Sequence, residues 1–337
     1  MLWLPLAIGS YFLSALSSTV DKILLRERIP QPAAYAFYSG LLSVGVIIIL
    51  PFYLVWGVAN EMSWRDTASG LFLPWETTVL SLFAGALFVP ALYFFYIALK
   101  RCDVSRIVPI IGGMTPIVLM VLFYIFEGTV LSIYQLLATL LFLFGGFILA
   151  TEVMCEDCVD SFGTHLLGIR GHRLQICGIE TSKGMYAALA ASVFFALTYF
   201  LSAYAYQAPT PFLSEFVWMR LGSILGALCM LAIPFLHHDI MASSHTLTRS
   251  SSKFLIGNKV VGALSFFLLN ASFNIGPIIT INALKGFEYF FVFCFTIAFS
   301  LFYPKALRES FDEHTIILKL LAIVLISFGF LFLIYSS

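Results

Sequence analysis

The stretch Gly276–Phe302, GPIITINALKGFEYFFVFCFTIAFSLF, decides how the chain is read. It is long and apolar enough to cross a bilayer, whose hydrocarbon core is about 30 Å thick. Yet it carries Lys285 and Glu288 well inside. An ionisable side chain at the bilayer centre costs about 2.5–3.5 kcal/mol on insertion scales, so such residues face a protein interior or a water-filled cavity. Two of opposite sign, three residues apart, share one face of a helix. The expectation is that this face lines a pathway through the membrane.

The rest of the chain has the same character. Of 337 residues, 61% are hydrophobic and only 11% charged, whereas a soluble domain carries about a quarter charged residues. Recurring apolar runs of about 20 residues mark a polytopic membrane protein. Ten spans are predicted, at 2–20, 33–57, 77–99, 105–126, 131–151, 184–205, 211–236, 254–274, 276–302 and 315–335. Helices are expected throughout, because each backbone polar group in lipid must be satisfied within its own segment. The N-terminus lacks a basic n-region and a cleavage site, and reads as a retained first span. Net charge is zero, and no basic tail or stripe points to nucleic acid.

Lysine and arginine set the orientation. The connections after the odd-numbered spans hold fifteen of the eighteen basic residues, Lys259 and Lys319 included, and the opposite connections hold only Arg65. This bias places both termini outside the cytoplasm, in a multi-pass cell-membrane protein. The two remaining basic residues, Arg220 and Lys285, lie within spans, both about 12–14 Å from the outer end at 1.5 Å per residue. Similar depth suggests one shared cavity near the midplane.

A long interior loop at 152–183 divides the chain into residues 1–151 and 184–337, each with five spans. Weak self-similarity sets Ser39 opposite Arg220, Gly112 opposite Lys285 and Thr115 opposite Glu288. Five is odd, so the halves run in opposite directions through the membrane. That is the inverted-repeat plan of many secondary transporters, which bind solute near the midplane between repeats.

These features resemble the drug/metabolite transporter superfamily of EamA type. The resemblance rests on the 5+5 plan, FVWMRLGS in a second span, SRIVPIIGGMTPIV in a fourth and EGTVLSIYQLLATLLFLFGGFIL leading into a fifth. In the second half, NASFNIGPIITINALKGFEYFF, FYPKALRES and KLLAIVLISFGFLFL look like bacterial members. The chain departs from the pattern in its Glu127-Gly128 order, in Ser39 where the family has arginine, and in the orientation of its termini. The resemblance implies a secondary transporter working by alternating access, and it supplies no substrate.

The expected binding residues are Arg220, Lys285 and Glu288, with Asn282, Trp218, Tyr289, Ser39 and Thr115 around them. The cations suit a carboxylate or phosphate on a small organic solute, and Glu288 suits a counter-charge or proton carrier. The alternative for the charges is an ion-pair network that fixes packing. Asp21, Lys22 and Arg106 form a candidate cytoplasmic gate, or else interfacial anchors. The loop residues Cys155, Cys158, His165, His172 and Cys177 match no standard zinc spacing, so neither a metal nor another cofactor is expected. HExxH, GxSxG and Walker patterns are absent, which argues against an enzyme or ATP-driven pump and for a proton or sodium gradient. A small-molecule exporter is the first reading. A lipid or lipid-linked-phosphate flippase and a non-transporting scaffold or enzyme are the alternatives.

Overall fold

The computed structural model describes residues 2–29, 31–45, 74–128, scattered positions of 132–148, 172–207, 211–244, 249–300, 302 and 313–335. Among these it is 92% helical, with no strand. The helices are α1 (Trp3–Glu27), α2 (Pro32–Leu41), α3 (Trp75–Arg101), α4 (Val104–Glu127), α5 (His172–Tyr206) and α6 (Phe212–Leu231). They continue with α7 (Pro234–Ser244), α8 (Arg249–Ile275), α9 (Ile278–Ala283), α10 (Gly286–Ser300) and α11 (Glu313–Tyr335). Six are long and apolar enough to cross a membrane: α1, α3, α4, α5 from Lys183 onward, α6 and α8.

The burial pattern is that of a protein solvated by lipid. Phe83, Ile125, Phe126 and Val260 are more than 60% exposed, while Ser81, Thr115, Thr198 and Ser272 are fully buried. Large apolar residues turned outward on several long helices, around an apolar interior with buried polar groups set into it, depart from the ordinary surface of a water-soluble domain. The chain is an all-helical membrane protein.

Local chemistry explains where the helices stop. Gly128 takes the left-handed conformation at φ 65° and returns its N–H to the Tyr124 carbonyl, ending α4. A glycine is favoured there because it has no Cβ to clash. The seventh predicted span, 211–236, is corrected: α6 ends at Leu231 and a new helix begins at Pro234. Proline lacks an N–H and disfavours helical geometry in the residue before it. The stretch 172–183, expected as loop, lies within α5. The second half of span two, about half of span five and the loop residues Cys155, Cys158 and His165 lie outside the described residues.

In packing, α3 runs along α5 and α6, and α1 runs along α8. α4 packs on α5, α10 on α1 and α4, and α2 on α3, α6 and α7. Three contacts bring the basic connections to one end of the bundle. Arg28 donates to Ser250 at 3.2 Å, Lys22 donates to the Leu99 and Cys102 carbonyls at 2.6 Å each, and Gly184 abuts Arg101 and Cys102. At the opposite end the Trp3 ring lies against Gly276.

The α3–α6 crossing depends on missing side chains. Gly85 faces the Met219 carbonyl, and Gly222 faces the Leu82 carbonyl, too close for any Cβ. Small residues allow such backbone approach inside a membrane. We expect Gly222→Leu to cost about 1–3 kcal/mol through forced separation of the helices. Thermal unfolding in detergent would show this as a lowered midpoint, while Gly257→Ala, which meets nothing within 4 Å, leaves the midpoint in place.

Candidate functional site

The stretch that opens the sequence reading is not one helix. It breaks at Leu284–Lys285, between α9 and α10. Across the break the backbone bonds tighten to i→i+3: Leu284 to Ile281, Lys285 to Asn282, Phe287 to Leu284 and Glu288 to Lys285, at 2.9–3.2 Å. Short stretches of this geometry inside a longer helix often mark functional hinges. Lys285 and Glu288 therefore flank an interruption, which corrects the expectation of one uninterrupted helical face.

Glu288 is 3% exposed and accepts a hydrogen bond from Ser14 at 2.6 Å through Oε1. Its Oε2 is buried without a partner. Ser14 lies eleven residues along α1 from Trp3, about 16 Å in at 1.5 Å per residue, which puts this carboxylate near mid-membrane. One turn away, Tyr11 donates to the Ile281 carbonyl at 2.5 Å. Tyr289 is buried with its hydroxyl against Gly112 of α4, again with no hydrogen-bond partner. Proline at 116 removes the N–H that would serve the Gly112 carbonyl within α4. Each unsatisfied buried polar group costs about 1–3 kcal/mol, so this region suits a polar ligand.

Lys285 is half-buried, its ammonium 5.7 Å from the centre of the Phe195 ring. Among the described residues no carboxylate lies within ion-pair distance of it, although Glu288 is within electrostatic reach. Tyr199 of α5 feels both charges. Its ring touches Phe273 at 5.5 Å, and Phe273 lines a cavity of about 280 Å³ with Phe123, Tyr206, Gln207, Gly276 and Pro277. That cavity lies toward the end of the bundle opposite the basic connections.

Arg220 does not join this cluster. It is 7% exposed on α6, its guanidinium 4.0 Å from the Phe266 ring centre, 5.1 Å from Phe216 and 5.9 Å from Phe88, and its Nη2 has no partner. Cation–π contact with desolvated rings is worth about 2 kcal/mol or more. Phe88 in turn touches Phe195 at 5.9 Å, so two aromatic rings stand between Arg220 and Lys285. The other predicted residues are dispersed. Asn282 and Thr115 bond locally to the Ile278 and Ile111 carbonyls, at 3.0 and 2.6 Å. Trp218 is half-buried on α6.

The three predicted gate residues also separate. Lys22 holds the end of α3, and Arg106 lies 3.8 Å from Asp103 within α4's first turn. Asp21 instead meets Lys259 of α8 at 2.8 Å. The same Asp21 Oδ1 accepts hydrogen bonds from Tyr35 and from Asn258 Nδ2. Lys259 also donates to Tyr96 at 2.8 Å and sits 4.4 and 4.9 Å from the centres of the Tyr35 and Tyr96 rings. Ser39 belongs here, 3.3 Å from the Tyr96 hydroxyl. Counting Lys259 among the connections is corrected: it lies within α8, largely covered, its side chain 11% exposed. Its position five residues into the predicted eighth span was the signal available. Among the described residues no group of three metal-ligating side chains occurs.

No family model matches the chain, and no curated protein does. A solved crystal structure, 17% identical, covers 98% of this chain and 94% of its own with a TM-score of 0.54. The likeness concerns the fold alone, and it extends over the whole chain.

Removing the Ser14 hydroxyl leaves a second buried Glu288 oxygen without its donor. A hydrogen bond to a charged group contributes about 1.5–3 kcal/mol, so Ser14→Ala is expected to lower the unfolding midpoint. Combining it with Glu288→Gln gives less than the sum of the two losses, as read in a double-mutant cycle.

Proposed function

We propose that this protein is a secondary transporter of the drug/metabolite type, moving a small organic solute with an anionic group by alternating access. On this reading it is an exporter of the cell membrane with ten spans in two inverted halves. Both termini lie outside the cytoplasm, and a proton or sodium ion drives the cycle. The observation that carries the reading is the interrupted helix at mid-membrane, with Lys285 and Glu288 at the break and polar atoms there still lacking partners. Interrupted segments at corresponding positions of two halves are the usual mark of a transporter's binding site. Here the break at Leu284–Lys285 faces α4, which carries Pro109 and Pro116 within its length.

The packing supports the inverted repeat. Exchange of the two halves would convert α3 on α5 into α8 on α1, and α4 on α5 into α10 on α1, and both members of each pair occur. It would also return α2 on α6 and α4 on α10 to themselves, and these contacts occur too.

Proteoliposome flux with a panel of labelled carboxylate and phosphate solutes tests the proposal. Lys285→Ala is expected to raise the KM for the transported solute by tenfold or more, since a charge-assisted bond is worth about 1.5–3 kcal/mol, at unchanged membrane abundance. Flux that is absent for every solute, or indifferent to this substitution, would sink it.

A further inference from the structure

We infer that the Asp21–Lys259 pair, with Tyr35 and Tyr96 closed around it, is the gate that seals the basic end of the pathway in this structure. The inference rests on the transporter reading above, and it assigns a role to Lys259, a residue within α8.

Position comes first. Ser14, Ser18 and Asp21 recur at intervals of four and three along α1, so they share one face of that helix. Ser14 holds Glu288, and Asp21 lies seven residues further, about 10 Å closer to the basic end. The pair thus stands between the mid-membrane site and the end where Arg28 meets Ser250. Beyond it Lys22 fastens α1 to the last carbonyls of α3. At the other end lies the cavity beside Phe273 and Tyr206. Among the described residues the cluster joins α8 to α1 toward the basic end and a cavity lies toward the opposite end, the arrangement that one state of an alternating-access cycle requires.

Composition comes second. The cluster draws one residue or two from each of four helices: Asp21 from α1, Tyr35 and Ser39 from α2, Tyr96 from α3, and Asn258 and Lys259 from α8. Three donors from two helices converge on a single carboxylate oxygen. The two tyrosine rings meet edge to face at 4.6 Å and cover the ammonium. A water path through the basic end has to part α8 from α1 and α2, and the bonds from Asn258 and Lys259 to Asp21 cross that seam. Lys22 is committed to the α3 carbonyls, so no neighbouring cation on α1 replaces Lys259 when it leaves.

A thiol reporter tests this without any solute. Ser18→Cys, in full-length protein whose six native cysteines are replaced by alanine or serine, sits between the pair and the site. In sealed vesicles of each orientation, a membrane-impermeant maleimide is added from the basic side. With Asp21 and Lys259 intact, the introduced thiol is protected. The minor state of a two-state protein is populated at about 0.1–10%, so Lys259→Met and Asp21→Asn should each raise labelling from that side by tenfold or more. The exchanged variant, Asp21→Lys with Lys259→Asp, restores protection. A thiol that stays protected in both single variants, an exchanged variant that remains labelled, or rates that rise equally from both sides would mark the cluster as packing only and overturn the gate. Labelling does not depend on transport. Loss of flux with gating intact would count against the proposed site alone.

Discussion

One carboxylate oxygen organises the basic half of the bundle. Asp21 Oδ1 takes a hydroxyl from α2, and an amide and an ammonium from α8. Water is not available in hydrocarbon to serve these groups, so the protein has to bring its own donors to the charge. Four helices meet at this point for that reason. Removing one member of a buried pair leaves an uncompensated charge, which costs about 3–5 kcal/mol. Packing here follows polar chemistry first and apolar surface second, the reverse of the order in a water-soluble core.

Elsewhere the bundle alternates stiff and interrupted elements. α3 and α6 touch backbone to backbone through Gly85 and Gly222, with no side chains between to yield. α4 and the α9–α10 pair are different. One carries two prolines and paired glycines, the other a stretch of i→i+3 bonds. They meet where the Tyr289 hydroxyl fills the place of a side chain at Gly112. The interrupted α9–α10 pair thus lies against a continuous, proline-bearing helix at the depth of the Glu288 carboxylate, and the glycine-packed helices frame them. A molecule built this way can change shape at its centre while its frame keeps its contacts.

Much of this was legible in the sequence. The apolar runs locate the helices, and the uneven distribution of lysine and arginine anticipates that the connections gather at one end. Buried charge at Arg220, Lys285 and Glu288 is likewise visible as an anomaly within apolar text. Partnership was not legible. Counting residues puts Arg220 and Lys285 at similar depth, yet they meet different aromatic surroundings, because depth along a helix says nothing of rotation about it. Lys259 reads as part of a connection, since its partner is 238 residues away in the chain. The break at Leu284–Lys285 has only Gly286 beside it as a local cue. Its geometry depends on Tyr11 holding the Ile281 carbonyl and Ser14 holding Glu288, contacts that no periodicity records.

The interruption between α9 and α10 also bears on how the chain enters the membrane. α10 has fifteen residues, about 22 Å of helix at 1.5 Å per residue, which is shorter than a hydrocarbon core of about 30 Å. Alone it would leave charge and unbonded carbonyls in lipid. It becomes tolerable beside α1, whose Tyr11 and Ser14 serve those groups. α1 therefore has to remain available until α9 and α10 are made, so that assembly at the centre of the bundle closes only after α10 has emerged.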